Sequence, residues 1–279
     1  MNEGRRIALL LEYDGTAFAG SQWQPNARTV QGVLEAALRD FTGEDTGEEG
    51  AGHRVTFAGR TDSGVHASGQ VAALSTNTQH SPATCRDALN HFLPEDLVVR
   101  AASEVAVTFD PRRQAEARRY RYRIEDGPVR SPLTRWHAWQ VGRPLDDAAM
   151  AEAMALLPRV QRDWAAFSGP VPVGYPTVRT LLDARVERSG SHAVTVEMEA
   201  TGFLPHQVRR TMGALERVGS GRLDPHEFAA LADGAPGTAG SAAPPQGLTL
   251  VAVRYPPGTI DWDLATGIRR LGSGRLRER

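Results

Sequence analysis

Residues 57–74 read FAGRTDSGVHASGQVAAL. Apolar runs bound this stretch on both sides, and between them stand one arginine, one aspartate, one histidine and three glycines. The flanks predict β-strands and the centre a turn, with Gly64 suited to a positive φ. An aspartate in a turn is ordinarily just a turn residue, because its side chain bonds to nearby backbone. Two features point further here. Arg60 lies two residues before Asp62, and a turn braced by apolar strands is held rigidly at the end of a sheet, where clefts form.

Outward from this corner, strand and helix patterns alternate. On the N-terminal side, RIALLLEYDG puts Ile7, Leu9, Leu11 and Tyr13 on one face of a strand that ends at Asp14-Gly15. Thr29 is placed to cap the helix VQGVLEAALRDF, whose Val30, Val33, Leu34, Ala37, Leu38 and Phe41 form an apolar stripe. On the other side, Ser81-Pro82 opens a second helix and Pro94 stops it. LVVRAASEVA and ARRYRYRIE follow as strands, so the first half runs β-α-β-β-α-β-β. The second half follows that order loosely. It has a helix from about Asp146 to Leu157, adjacent strands in VRTLLDARVER and HAVTVEMEATG, helices near Pro205 and in DPHEFAALAD, and a last strand LTLVAVRY. Before that strand, GAPGTAGSAAPPQG reads as a flexible connection. Helices mixed with hairpin-linked strands predict an α+β fold with a largely antiparallel sheet.

A chain of 279 residues suffices for one large domain or two closely packed halves. Its 41% hydrophobic and 23% charged residues match a soluble globular composition. No apolar run reaches the roughly 18 residues that span a bilayer. The short run after Arg5-Arg6 has no small-residue cleavage site and reads as a strand, not a targeting signal. A single cysteine, Cys85, excludes an internal disulfide and a multi-cysteine metal site. The expected location is the cytoplasm, with no membrane partner.

Net charge is −1, yet all 32 Lys+Arg residues are arginine, each a planar fork suited to phosphate and to stacking on bases. Six of them, Arg112, Arg113, Arg118, Arg119, Arg121 and Arg123, fall in RRQAEARRYRYR, whereas acidic residues gather in GEDTGEEG, residues 43–50. A chain so divided binds a polyanion locally while staying neutral overall. Strand periodicity sets Arg119, Arg121 and Arg123 on one face and Tyr120, Tyr122 and Ile124 on the other. Tyr120 is then the candidate to stack on a base while the arginines hold phosphates, and Tyr122 reads as core. The eight histidines show no ligand-like spacing, so no metal is expected, and His66 reads as structural.

AGRTDSGVHASGQV resembles the catalytic motif of the TruA-type tRNA pseudouridine synthase family. YDGTAFAG with RTVQGVLEAAL, ALNHFLPEDLVV, FDPRRQAEARRYRYRI, FLPHQVRRTMGAL and PPQGLTLVAV are similar to that family's other blocks, in order, over about residues 7–255. The resemblance implies two similar α/β halves whose mostly antiparallel sheets form one continuous sheet, with helices packed on one side and the active-site cleft between the halves. Residues 1–110 would be the half carrying the Asp62 loop, 111–255 the half completing the cleft, and 256–279 a basic tail expected to be disordered. The implied activity is a cofactor-free isomerisation of uridine to pseudouridine at positions 38, 39 and 40 of the tRNA anticodon stem-loop. The implied partners are tRNA and a second copy of the chain, with no DNA. By motif, Asp62 would be the nucleophile, Arg60 would hold the flipped-out nucleotide's place in the RNA, Tyr120 would pack on the target base, and Arg209 would pair with the Asp62 carboxylate. A carboxylate is a competent nucleophile, an arginine partner favours the ionised form of a carboxylate, and a stacked base must be extruded before it reacts. No general base stands out, though Tyr120 is a candidate. Three departures are local. The family's Gly-Trp-Gln is Gly20-Ser21-Gln22, followed by Trp23; its FHAR is FDPR, with Asp110 and Pro111; its GLYL is GLTL, with Thr249.

Two other readings compete. Asp45 in DTG and Asp62 in DSG both match the short signature of aspartic proteases, but they lie 17 residues apart (62 − 45), and a shared-proton pair needs two lobes or two subunits. A non-enzymatic RNA-binding module would suit the sheet, the aromatic residue and the arginines. Binding RNA, however, gives no reason to bring a carboxylate near phosphates.

Overall fold

The structure, a computed structural model, describes residues 4–43 and 55–262. Residues 44–50 of the acidic stretch, with Asp45, and the basic tail beyond residue 262 lie outside the described residues.

Strand β1 (Arg5–Tyr13) is followed by helix α1 (Val30–Thr42). The Thr29 hydroxyl accepts the Gly32 N–H at the start of α1, and Gly43, at φ 63°, ends it. Strands β2 (Thr56–Phe57) and β3 (His66–Thr76) flank the Asp62 loop. Helix α2 (Pro82–Phe92) starts at the Ser81 cap with proline in the first turn, and β4 (Leu97–Val105) and β5 (Ala117–Glu125) follow. The remainder comprises β6 (Trp139–Gln140), α3 (Asp147–Leu156), β7 (Gln161–Asp163), β8 (Val178–Ser189) and β9 (Ala193–Ala200). Helices α4 (Gln207–Gly219) and α5 (Pro225–Ala230) then lead to β10 (Leu248–Arg254). The predicted element order holds. Only β6 and β7 have no counterpart in the sequence reading, because two or three residues carry no period to read.

One sheet of ten strands runs β4-β1-β3-β10-β5-β9-β8-β7, with β2 beside β3 and β6 beside β5. Every pairing is antiparallel except β3 with β10 and β5 with β6. The order β4-β1-β3-β2 is matched by β10-β5-β9-β8, so the same arrangement occurs twice and the two meet at β3 and β10. At this seam β3 shares one edge between two partners. Thr56 and Phe57 of β2 pair with Ala73 and Ala72, while Thr249 and Leu250 of β10 pair with His66 and Ala67. The chain from residue 58 to 65 must therefore leave the sheet where β2 and β10 diverge. That is why the strand expected on the N-terminal flank of the loop is only two residues long.

All five α-helices bury residues in one continuous apolar cluster on one face of the sheet, together with Ile7, Leu9, Leu11 and Tyr13 as the alternation predicts. On the opposite face Ala8 and Ala73 lie beneath Phe109, with Tyr255, Ile260 and Trp262 packed alongside. Residues 256–262 thus run back over the sheet, where the Ser103 hydroxyl donates to the Asp261 carbonyl at 2.7 Å.

The segment read as a flexible connection before β10 is instead tied down. Arg210 Nη1 donates to the carbonyls of Gly237 (2.9 Å) and Gly240 (2.8 Å), and the Tyr122 hydroxyl donates to the Pro244 carbonyl at 2.7 Å. Its Gly, Pro and Ala residues have no long side chains, so their backbones lie against α4 and β5 at close range. A Cβ on Gly247 would fall 2.6 Å from the Tyr122 ring.

Candidate active site

The loop from residue 58 to 65 is held from behind by a buried polar lattice. Ser21 N–H donates to the Thr61 carbonyl (3.1 Å), and Thr61 N–H donates to the Ser21 hydroxyl (2.9 Å). Ser21 is fully buried, so the residue that departs from the family motif clamps the loop one position before Asp62. Tyr13 and Thr61 share a hydroxyl–hydroxyl bond of 2.8 Å, and Gln70 Nε2 donates to the Gly59 carbonyl at 2.7 Å. Gly20, at φ 103°, lets the N-terminal turn approach; a Cβ there would stand 2.9 Å from the Thr61 carbonyl oxygen. Gly64 adopts the expected positive φ, 76°, and packs on Pro245. These contacts fix the backbone of Asp62 while its side chain remains about one-third exposed.

Asp62 faces a cleft of about 630 Å³. The opposite wall is the segment from Thr201 to Arg209, joining β9 to α4. Arg209, in the first turn of α4, donates from Nη1 to Asp62 Oδ2 at 2.9 Å and from Nε to the Ala243 carbonyl at 2.8 Å. The Ala243 N–H returns a bond to the Arg209 carbonyl, so this guanidinium is anchored before any ligand arrives. Tyr120, on β5, forms the floor with 8% of its surface exposed and meets Phe203 edge-on, ring centres 5.2 Å apart. Burial above all, then Tyr13 and the Asp62 charge, pushes the Tyr120 phenol well up from its ordinary range. Arg60 is exposed at the rim and makes no hydrogen bond among the described residues. The four sequence-predicted residues, Asp62, Arg60, Tyr120 and Arg209, thus line one cleft.

Sequence reading missed two members of the wall. Arg118 is 9% exposed, yet it has no carboxylate partner among the described residues. It donates instead to the carbonyls of Ala58, Ala115, Thr201 and Arg112, joining the Asp62 loop to the opposite wall. Its place two residues before Tyr120, on the same strand face, was the available signal. His206 is the second; its Nε2 lies 3.6 Å from Asp62 Oδ2.

The proposed division of labour within β5 needs correction. Arg119 and Arg121 point away from Tyr120, to the other face of the sheet, as strand alternation requires. There they pair across the ladder with Glu199 (2.9 Å) and Glu197 (2.8 Å). They cannot hold phosphates beside a base on Tyr120. The positive charge of the cleft comes from Arg60, Arg112, Arg118, Arg179 and Arg209, against the single carboxylate of Asp62.

Behind the loop, Asp14, His66 and His137 converge, a grouping invisible in their spacing. Both ring nitrogens of His66 are already engaged. Gly15 N–H donates to Nδ1 at 3.0 Å and Nε2 meets the Gln246 carbonyl at 3.2 Å. With no lone pair left for an ion, the ring acts as a brace between β3 and the turn before β10. The other departures also have structural places. Asp110 Oδ1 accepts the N–H groups of Arg112 and Arg113, the Pro111 carbonyl accepts the Tyr255 hydroxyl, and Thr249 pairs with His66 across the seam.

The family model for tRNA pseudouridine synthase matches residues 10–112 and 161–256, which include Asp62, Arg60 and Arg209. Relatives named tRNA pseudouridine synthase A align over nearly the whole chain. The protein from Roseiflexus castenholzii is 49% identical over 255 residues, covering 90% of this chain and 91% of its own. That from Chloroflexus aurantiacus is 44% identical over 262 residues, covering 92% and 91%. That from Geobacter sulfurreducens is 41% identical over 253 residues, covering 90% and 100%.

Proposed function

The chain belongs to the tRNA pseudouridine synthase family, and on that premise we propose that it isomerises uridines 38, 39 and 40 of the tRNA anticodon stem-loop with Asp62 as nucleophile. The observation that carries this reading is a carboxylate, ion-paired to an anchored arginine, in a cleft whose other charged side chains are arginines. A module that only bound RNA would gain nothing from that carboxylate.

In this reading the arginines at the rim take the phosphates of the stem-loop, and the target nucleotide swings out of the stack into the cleft. Arg60, exposed beside the loop, fills the place the nucleotide leaves. An Asp62 oxygen attacks C1′ of the ribose, and N1 departs with the electron pair of the glycosidic bond. The detached uracil is held against Tyr120 and Phe203, which deny it escape while it rotates. C5 then bonds to C1′ and the Asp62 carboxylate leaves. The proton on C5 is lost and N1 gains one, so every atom of the product except exchanged hydrogen comes from the substrate. Tyr120, its phenol pushed up by burial, forms the packing surface for the target base in this reading. The half of residues 1–110 supplies Asp62 and Arg60, and that of 111–255 supplies Tyr120 and Arg209, so the site needs both. The same reading takes the working unit as a homodimer sharing tRNA.

Tritium at uracil C5 tests the proposal, because pseudouridine formation releases it to water. Incubation of labelled tRNA with the wild-type protein is expected to release label. Asp62→Asn is expected to release none while binding tRNA nearly as well. Release by Asp62→Asn at close to the wild-type rate would refute the nucleophile assignment.

A further inference from the structure

His206 occupies a costly backbone position beside Asp62. Its φ of 60° and ψ of 1° are left-handed, and Asn26 is the other non-glycine residue with positive φ among the described residues. Such a conformation persists only where its surroundings impose it, and it concentrates at functional sites. The imidazole is not used to cap α4. Gln207 Oε1 accepts the Leu204 N–H at 2.8 Å, which ties down the turn before the helix without the imidazole. The left-handed turn instead lays the ring over Gly169, where a Cβ would stand 3.3 Å from ring atoms, and leads Nε2 to within 3.6 Å of Asp62 Oδ2.

Arg209 Nη1 already donates to this same oxygen, and Asp62 Oδ1 has no hydrogen-bond partner among the described residues. We propose that His206 is a positioning residue that, with Arg209, grips Asp62 by Oδ2 and leaves Oδ1 as the oxygen that attacks C1′. The inference rests on the reading of Asp62 as nucleophile. A carboxylate held by one donor can pivot about that bond; a second donor arriving from another direction removes the freedom. At 3.6 Å the His206 contact is too long for a hydrogen bond. Such contacts tighten when substrate closes a site. His206 is about two-fifths exposed at the cleft surface, with room to make that small movement.

Two substitutions separate the side chain from the backbone. His206→Gly removes the imidazole but adopts φ 60° freely, which preserves the start of α4. His206→Gln restores an N–H donor at about the reach of Nε2. Single-turnover tritium release is expected to fall about tenfold to a hundredfold in His206→Gly. Its tRNA affinity should be unchanged, and His206→Gln should recover most of the rate. A wild-type rate in His206→Gly overturns the inference. So does a loss confined to affinity, which would make His206 an RNA contact. Equal losses in both variants at unchanged affinity also overturn it, because the imidazole's proton exchange rather than its donor would then matter. Asp62→Asn run alongside separates the two readings. If it is active, the nucleophile assignment fails; if it is inert while His206→Gly is fully active, this inference alone fails.

Discussion

At the scale of single residues, His66 shows how the site is braced from behind the loop. Its ring accepts from Gly15 and meets Gln246, and burial above all holds its pKa below the ordinary 6.5, against the opposing pull of Asp14. The unfolded chain therefore takes up a proton near pH 6.5, whereas the folded protein takes it up only at lower pH. Below about pH 6.5 the unfolded state binds more protons, so stability declines as pH falls; above it the contribution is complete. Urea midpoints at pH 5.5 and 7.5 should show a smaller acid loss in His66→Asn than in the wild type, from a lower starting stability. Parallel pH dependences would remove His66 from this role.

At the scale of elements, the shared edge of β3 matters most, because the divergence of β2 and β10 there is what lifts Asp62 out of the sheet. Gly69 sits on this seam, and a Cβ added there would lie 2.3 Å from the Val251 carbonyl oxygen, which is backbone and cannot swing aside. Gly69→Ala must therefore part β3 from β10. We expect a loss of about 2 kcal/mol in urea unfolding, with turnover falling alongside it. An unchanged midpoint would mean that the seam is looser than the packing indicates. The helix caps at Thr29 and Ser81 are local and legible in the sequence. The seam is not legible, because β3 and β10 lie some 180 residues apart, as His66 and Gln246 do.

At the scale of the whole molecule, a chain of net charge −1 carries a cleft of five arginines and one carboxylate. Their arrangement, not the total, sets affinity for a polyanion. Raising salt from about 50 to 200 mM should weaken tRNA binding by on the order of a hundredfold, as expected for about four phosphate contacts. Arg112→Gln and Arg179→Gln should each lower the log–log salt slope by about one. Arg119→Gln should leave the slope unchanged, because Arg119 is paired to Glu199 on the other face. A slope that responds to Arg119 instead would place the RNA on that face.

The sequence by itself determined the α+β class, the order of the main elements, the caps of the first two helices and, through the blocks that resemble the family, four of the residues that line the cleft. Each of these depends on local periodicity, turn chemistry or a motif of adjacent residues. Tertiary structure alone decided that the Tyr120 face of β5 lines the cleft while Arg119 and Arg121 pair with Glu199 and Glu197 on the other, that the Gly- and Pro-rich segment before β10 is a fixed backing rather than a flexible connection, and that Arg118 and His206 belong to the wall facing Asp62. The physical reason is common to all three. Which face of a strand meets a cleft, and which carbonyl satisfies a buried guanidinium, depends on partners brought together from distant parts of the chain. No local pattern of residues specifies those partners.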